Sequence, residues 1–471
     1  MDGATNPISR RERTIPIRRP KMRPLTRLLT PTASRRIPAS KGPTSGDESD
    51  HPSPLAICFV GGLFPKDQAT QIESASKGAF QTAANTLQWH FVEGLDEAQT
   101  ESTTIITAPF VGSYPTLYRH IIIQSKPFSH TAGASDVSIG FLNLPVIKHF
   151  SRAWGVRQAV RKWLRETPGD KALIAYSLNF EFMRVLASAR SADRRVVRCV
   201  IVPDLPEYMN TRKRTTVGYR ILKSIEIWSI HRDLKSVDAL VLLTEQMREL
   251  VPSSAPYLVL EGIAASRHWL ARRPASVSPK PILYAGMLNA RYGIVDLVRA
   301  FQMLDDPTLN LILCGNGDSE EFVREAAAVD RRIKFLGRVP HDEAVKLQAE
   351  ATILVNPRTN DEEFAKYSFP SKILEYMSVG RPVVAYELDG MPKEYRDYVF
   401  YVPAAGTSVL AETIASVCEM SADDLDEIGA RAKCFVDETK NPRVQAERVL
   451  AMVDSVRKMT GPDIRTRASP S

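Results

Sequence analysis

The sequence predicts an α/β protein made of two doubly wound, Rossmann-like domains facing one another across a cleft. Two observations carry this expectation. Short β-branched runs alternate with longer amphipathic segments, the pattern of strands and helices wound into parallel sheets, and the alternation runs through twice with an irregular stretch between. The chain is also long enough, at 471 residues and 44% apolar, to bury more than one large core.

Residues 1–51 stand apart. Positions 1–50 hold eleven Lys/Arg against five Asp/Glu, which is +6 of the chain's net +8, so the body is nearly neutral. This tail is rich in Arg, Pro, Ser and Thr and lacks periodicity, so it is expected to be disordered. It reads as a solvated extension, with contact to a membrane surface or nucleic acid as the alternative. The near-neutral body gives no reason to expect a nucleic-acid partner.

The first domain is expected over 52–265. It opens with a strand at 55–60, a turn at Gly61-Gly62-Leu-Phe-Pro65 and a helix at 75–89. Strands follow at 104–108, 172–176, 196–202 and 239–243, with helices at 146–165 and 215–232, while 100–136 has no clear period. Residues 266–280, irregular and rich in Arg, Pro, Ser and Ala, are expected to be the linker. The second domain, 281–440, offers strands at 281–285, 309–314, 333–336, 352–355 and 382–386. A helix at 424–436 and a closing helix at 441–459, started by Asn441-Pro442, precede a frayed tail at 460–471.

No apolar run approaches the roughly 20 residues that cross a bilayer, and the N-terminus lacks the apolar core of a secretory signal. Five scattered cysteines indicate neither a disulfide framework nor a zinc site. The expected location is the cytoplasm, with any membrane contact peripheral at the inner face. Basic and aromatic residues alternate at near-helical spacing over 148–165, and Arg212-Lys-Arg214 begins another basic stretch. Two readings stand: a helix burying its stripe in its own domain, or a surface that meets a membrane.

The strongest constellation is in the second domain. A helix starting at Pro370, after the polar loop 356–364, would aim free N–H groups and the positive end of its dipole into the cleft. An anion belongs there. Ser368 and Ser371 add hydroxyl donors and Lys372 a charge, and Glu375, one turn on, can accept two hydrogen bonds from a ribose diol. An ordinary capped helix is the alternative reading. Gly315-Asn-Gly317 follows a strand, so the backbone there either approaches a ligand closely or makes a tight turn. Asp424-Leu-Asp426 has a metal-binding spacing but lies in a helical segment, and no metal site is expected.

The run Ser368-Phe-Pro-Ser-Lys-Ile-Leu-Glu375, continued to Gly380-Arg-Pro-Val-Val384, resembles the donor-site signature of the retaining glycosyltransferase family four, whose glycogen-synthase-like members have the two-domain GT-B architecture. Tyr284-Ala-Gly-Met-Leu-Asn-Ala-Arg-Tyr-Gly293, Leu313-Cys-Gly-Asn-Gly-Asp318 and Phe335-Leu-Gly-Arg-Val-Pro340 occur in the family's order. The resemblance covers about residues 55–459 and is more specific in the second half. It implies metal-independent transfer, with retention, from a nucleotide-diphosphate sugar to a glycan or lipid-linked glycan, in polysaccharide or glycoconjugate synthesis. The donor is a co-substrate and no cofactor is implied.

Carried over by position, the resemblance assigns Glu375 to the nucleotide ribose and places Tyr367 where the family's first glutamate meets the sugar. Phe369 belongs to the same donor motif. Met287 and Tyr292 stand where the diphosphate-neutralising arginine and lysine normally do. A departing nucleoside diphosphate needs cationic compensation, so Lys372, Arg291 and Arg358 are the candidates, Lys372 first. Gly61 and Gly62 are placed under the donor phosphates. Asp204, after the 196–202 strand, matches an acceptor-activating position, with a turn aspartate as the alternative and Glu207 in reserve. Two other classes stay open: a sugar-nucleotide 2-epimerase, and a non-catalytic binding subunit, which the substitutions at 367, 287 and 292 would suit.

Overall fold

The computed structural model describes residues 55–77, 81–206, 217–265 and 278–460. The basic tail, most of the expected linker, Glu207 and the stretch Arg212-Lys-Arg214 lie outside them. In the first half the elements are β1 (Ala56–Gly61), α1 (Ala69–Ala75), α2 (Thr82–Ala98), β2 (Thr104–Thr107), β3 (Ile122–Ile123), β4 (Lys126–Phe128), β5 (Asp136–Ser138), β6 (Phe141–Leu142), α3 (Ile147–Glu166), β7 (Lys171–Tyr176), α4 (Phe180–Ala192), β8 (Val197–Val202), α5 (Val217–Leu234), β9 (Ala239–Leu242) and β10 (Tyr257–Val259). They build a sheet in the order β10-β9-β8-β7-β1-β2-β5-β4, parallel except for β4. Its central strands β7 and β8 are buried along their whole length, as expected of strands covered by helices on both faces, and so read as unbroken apolar runs.

The second half repeats the plan with β11 (Lys280–Ala285), α6 (Ile294–Gln302), β12 (Leu309–Cys314), α7 (Glu320–Val329), β13 (Ile333–Gly337), α8 (His341–Glu350), β14 (Ile353–Asn356), α9 (Ser371–Ser378), β15 (Val383–Ala385), β16 (Val399–Tyr401), α10 (Thr407–Cys418), α11 (Ala422–Thr439) and α12 (Pro442–Thr460). Its sheet, β13-β12-β11-β14-β15-β16, is parallel throughout. The fold is the expected pair of Rossmann-like domains in the GT-B arrangement.

Three expectations are corrected. The single helix at 75–89 is two helices, α1 ending at Ala75 and α2 beginning at Thr82. The unreadable stretch 100–136 resolves into β2 and the two- and three-residue strands β3 to β5, too short for any periodicity to register. The edge strands β10 and β16, three residues each, were not anticipated.

The closing helix α12 crosses back to the first domain. Ala446, Val449, Val453 and Val456 are buried with Ile57, Phe59, Trp89 and Val92 in one core layer. Its start presses on α2 where Gly94 has no side chain: a Cβ there would lie 2.1 Å from the Pro442 carbonyl oxygen. Arg457 adds an ion pair to Asp170 at 2.8 Å. The two domains also touch along the cleft. Thr244 Oγ1 donates to the Lys366 carbonyl at 3.1 Å, Gln246 Nε2 to that of Asp389 at 2.6 Å, and Arg338 pairs with Glu73 at 3.4 Å.

Candidate active site

The carboxyl edge of the second sheet assembles most of the sequence-predicted donor residues. The loops after β11 and β12 are laced together. Gly286 N–H donates to the Cys314 carbonyl, Leu288 N–H to that of Asn316 and Ser319 N–H to that of Leu288, each at 2.9 Å. Gly315 has φ +136°, and a Cβ there would come within 1.7 Å of the Gly286 oxygen, while one on Gly317 would meet the Leu288 oxygen at 2.3 Å. Close packing of loop on loop therefore requires both glycines. The same holds for Gly61, whose Cβ would strike Gln88, and for Gly62, whose Cβ would strike the Phe110 ring.

α9 starts at Pro370 with no side chain capping its N-terminus. Lys372 and Glu375 project from it one turn apart and pair at 2.9 Å. The other oxygen of Glu375 accepts from Nε2 of fully buried Gln348, at 2.7 Å, a residue of α8 that sequence reasoning did not single out. Burial pushes the Glu375 carboxyl up, but the Lys372 charge and the two hydrogen bonds outweigh it and hold the group below the ordinary carboxylate range. Glu375 is thus an ionised, oriented acceptor. Gly286 leaves room for the Lys372 stem, 3.4 Å from the place of its missing Cβ.

Arg291 and Arg358, on loops following β11 and β14, lie over the same ring. Their guanidinium carbons are 4.1 and 4.6 Å from the centroid of Phe364, and 5.7 and 5.6 Å from that of Tyr292. Arg358 also donates to Ser368 Oγ at 2.6 Å. Among the described residues neither guanidinium pairs with a carboxylate, and the Nε of each is buried without a partner. Burial, then the neighbouring Arg291 charge against the offsetting hydroxyl of Tyr292, brings the Arg358 guanidinium below its ordinary pKa. Two like charges stacked on shared aromatic faces form a natural anion site. Phe364, which organises it, was missed because one aromatic in an acidic loop carries no pattern.

The remaining candidates divide. Ser371 is exposed at the start of α9. Phe369 is buried against Tyr395, ring centroids 5.3 Å apart, and anchors the loop in the core instead of facing the cleft. Tyr367 packs onto the hydrophobic core of the first domain, so the residue that departs from the family's glutamate serves the domain contact. Asp424 and Asp426 sit on α11, where Asp426 neutralises buried Arg381 at 3.1 Å. Among the described residues no group of three or more His, Cys, Asp or Glu could hold a metal ion.

On the first domain, Asp204 follows β8 at the carboxyl edge, in reach of the charge-sensitive Tyr176 hydroxyl. Its carboxyl is water-accessible, yet the dense protein around it impairs solvation and pushes it up to about 6. At the same edge, α3 and α4 start beside a charge cluster not foreseen in the sequence. Buried Glu181 pairs with Arg152 at 2.8 Å and His149 at 3.2 Å. Burial raises its pKa and the Arg152 charge more than reverses this, to about 2.

Residues 279–420, the second domain with this site, match the family model described as Glycosyl transferases group 1. The chain is 31% identical over 147 residues to a phosphatidyl-myo-inositol mannosyltransferase of Mycobacterium leprae, covering 29% of this chain and 37% of that one. It is 26% identical over 180 residues to the amylovoran biosynthesis glycosyltransferase AmsK of Erwinia amylovora, covering 36% and 44%. These matches span less than half the length of either relative. Over nearly the whole molecule the fold is that of sucrose-phosphate synthase from Thermosynechococcus elongatus, with a TM-score of 0.57, 15% identity, and 85% of this chain and 99% of that one covered.

Proposed function

We propose that this chain transfers a hexose or related sugar from a nucleotide-diphosphate donor to a glycan or lipid-linked glycan, with retention and without a metal, in cell-surface polysaccharide or glycoconjugate synthesis. It works in the cytoplasm, against the inner face of the membrane. The observation that carries the reading is the Arg291–Phe364–Arg358 stack beside Ser368 and the uncapped start of α9. It places two cations and a helix dipole where a leaving diphosphate gathers charge. The second-domain match to group 1 glycosyl transferases supports it.

In this reading Glu375 accepts hydrogen bonds from the ribose diol, and Lys372, released from Glu375, joins the two arginines at the diphosphate. The bond from the anomeric carbon to the phosphate oxygen breaks as the acceptor oxygen attacks the same face. The acceptor proton passes to the departing phosphate oxygen, with Asp204 orienting the hydroxyl. Incubation with a panel of nucleotide sugars, with and without glycan acceptors, tests the assignment. Release of nucleoside diphosphate is the expected outcome. An altered sugar on an intact nucleotide would instead identify an epimerase, and binding without turnover a non-catalytic subunit.

A further inference from the structure

The outer face of the first domain, away from the donor residues, carries a surface that sugar transfer does not explain. α4 floors a groove walled by α3 and α5, about 680 Å³ in volume and lined by Phe150, Trp154, Arg157, Arg184, Ser188 and Arg232. The walls expose apolar side chains to water: Phe150 (61%) and Trp154 (68%) on α3, and Ile221, Leu222, Ile225 and Trp228 (63%) on α5. The exposure is patterned. On α3 the inner stripe Val156, Val160 and Leu164 is buried in the domain core, while Ile147, Phe150, Trp154, Arg157 and Arg161 follow one another three or four residues apart along another face. On α5 the apolar positions 221, 222, 225 and 228 recur at the same spacing.

The charge on this face has one sign. α3 carries six basic residues and one acidic. In the groove, Arg184 and Arg232 share the carboxylate of Asp233, at 3.2 and 3.1 Å, and Arg157 has no carboxylate partner among the described residues. Three guanidiniums against one carboxylate, flanked by exposed tryptophans, call for a partner that is anionic and apolar at once. Tryptophan prefers the headgroup level of a bilayer and arginine binds phosphate with a planar fork, so a lipid surface supplies both.

We propose that this two-helix face docks on an anionic lipid bilayer. A phosphate headgroup enters the groove between Arg157, Arg184 and Arg232, and Phe150, Trp154, Ile225 and Trp228 sit in the interfacial layer. The inference rests on the membrane-side placement proposed above and gives it a surface and a lipid class, and its test does not depend on turnover.

The full chain is floated with vesicles of phosphatidylcholine alone or with about one third phosphatidylglycerol. At least about tenfold more protein is expected on the anionic vesicles. Trp154→Ser with Trp228→Ser should lower that binding about tenfold without shifting the thermal melt, since both side chains are exposed. Arg157→Glu should lower it on anionic vesicles alone. If the tryptophan pair melts early, Phe150→Ser with Ile225→Ser makes the same test. Equal binding to both vesicles overturns the proposal, as does a double variant that binds like the parent, which would place binding elsewhere on the chain. Self-association lost in the double variant, with no vesicle binding by the parent, would assign the face to a second copy of the chain. Nucleoside diphosphate release is scored separately, so retained turnover with failed lipid binding removes this surface and leaves the transferase reading standing.

Discussion

Lys372 and Glu375 neutralise one another at 2.9 Å, and donor binding must separate them, Lys372 to the phosphates and Glu375 to the ribose. Removing each should therefore act on a different kinetic constant. Lys372→Ala is expected to lower turnover about 10²–10³-fold by withdrawing charge from the leaving group, and a rate that does not change would end its assignment. Glu375→Ala should mainly raise the donor KM, read in the same assay. Asp204 makes a prediction in pH. Its carboxyl is raised to about 6, so it is ionised at neutral pH and protonates as pH falls through that value. The acidic limb of kcat/KM should have its midpoint near 6 and disappear in Asp204→Asn, leaving a low, flat rate. At this scale the sequence was most informative where charge and spacing coincide, as in Lys372 and Glu375. It said least about Gln348, Phe364 and Glu181, whose roles exist only once separate elements meet.

Elements with a sustained period were legible, and those whose stability is entirely tertiary were not. β7, β8, β11 and β12 announce themselves as buried apolar runs, whereas β3 to β5 hold two or three residues each. What holds that short-stranded region is partly polar. His130 is clamped between Asp136, at 2.6 Å from Nδ1, and Asp96 at the end of α2, at 2.7 Å from Nε2. Burial alone would lower its pKa, but the hydrogen bonds and charges of the two aspartates override this and push it up to about 9. A histidine pKa raised on folding stabilises fully below the unfolded value of about 6.5, and the contribution is lost as pH rises through about 9. Between pH 7 and 10 the protein should lose on the order of 2 kcal/mol from this site. His130→Asn should be less stable at pH 7 and show a flatter melting profile across that interval. A parallel pH profile in variant and parent would mean that the clamp holds no proton of consequence.

The whole molecule is tied together where the chain crosses between domains, and here sequence reasoning drew a boundary that side chains straddle. Residue 440 closes the expected second domain, yet Lys440 is buried at 5% side-chain exposure between Glu261, at 2.5 Å, on the outgoing crossing, and Glu394, at 2.6 Å. Tyr395 donates to the same Glu261 oxygen at 2.7 Å, and the Lys440 carbonyl accepts from Ala264 N–H at 3.0 Å. The knot thus fixes the outgoing and returning strands of the hinge to one another, while the pair across the cleft, Arg338 with Glu73, is exposed on both sides and is worth no more than about 1 kcal/mol. Breaking each should separate stability from closure. Lys440→Met leaves the Glu261 carboxylate buried without its cation and should cost about 3–5 kcal/mol in denaturant unfolding. Replacing Glu261 by Gln as well removes the orphaned charge and should recover part of that loss, because the penalty comes from an unpaired ion and not from the missing attraction. Arg338→Ala should leave the midpoint of unfolding unmoved. If the single and double hinge variants lose equal stability, packing of the lysine stem, and not its charge, is what binds the two crossings together.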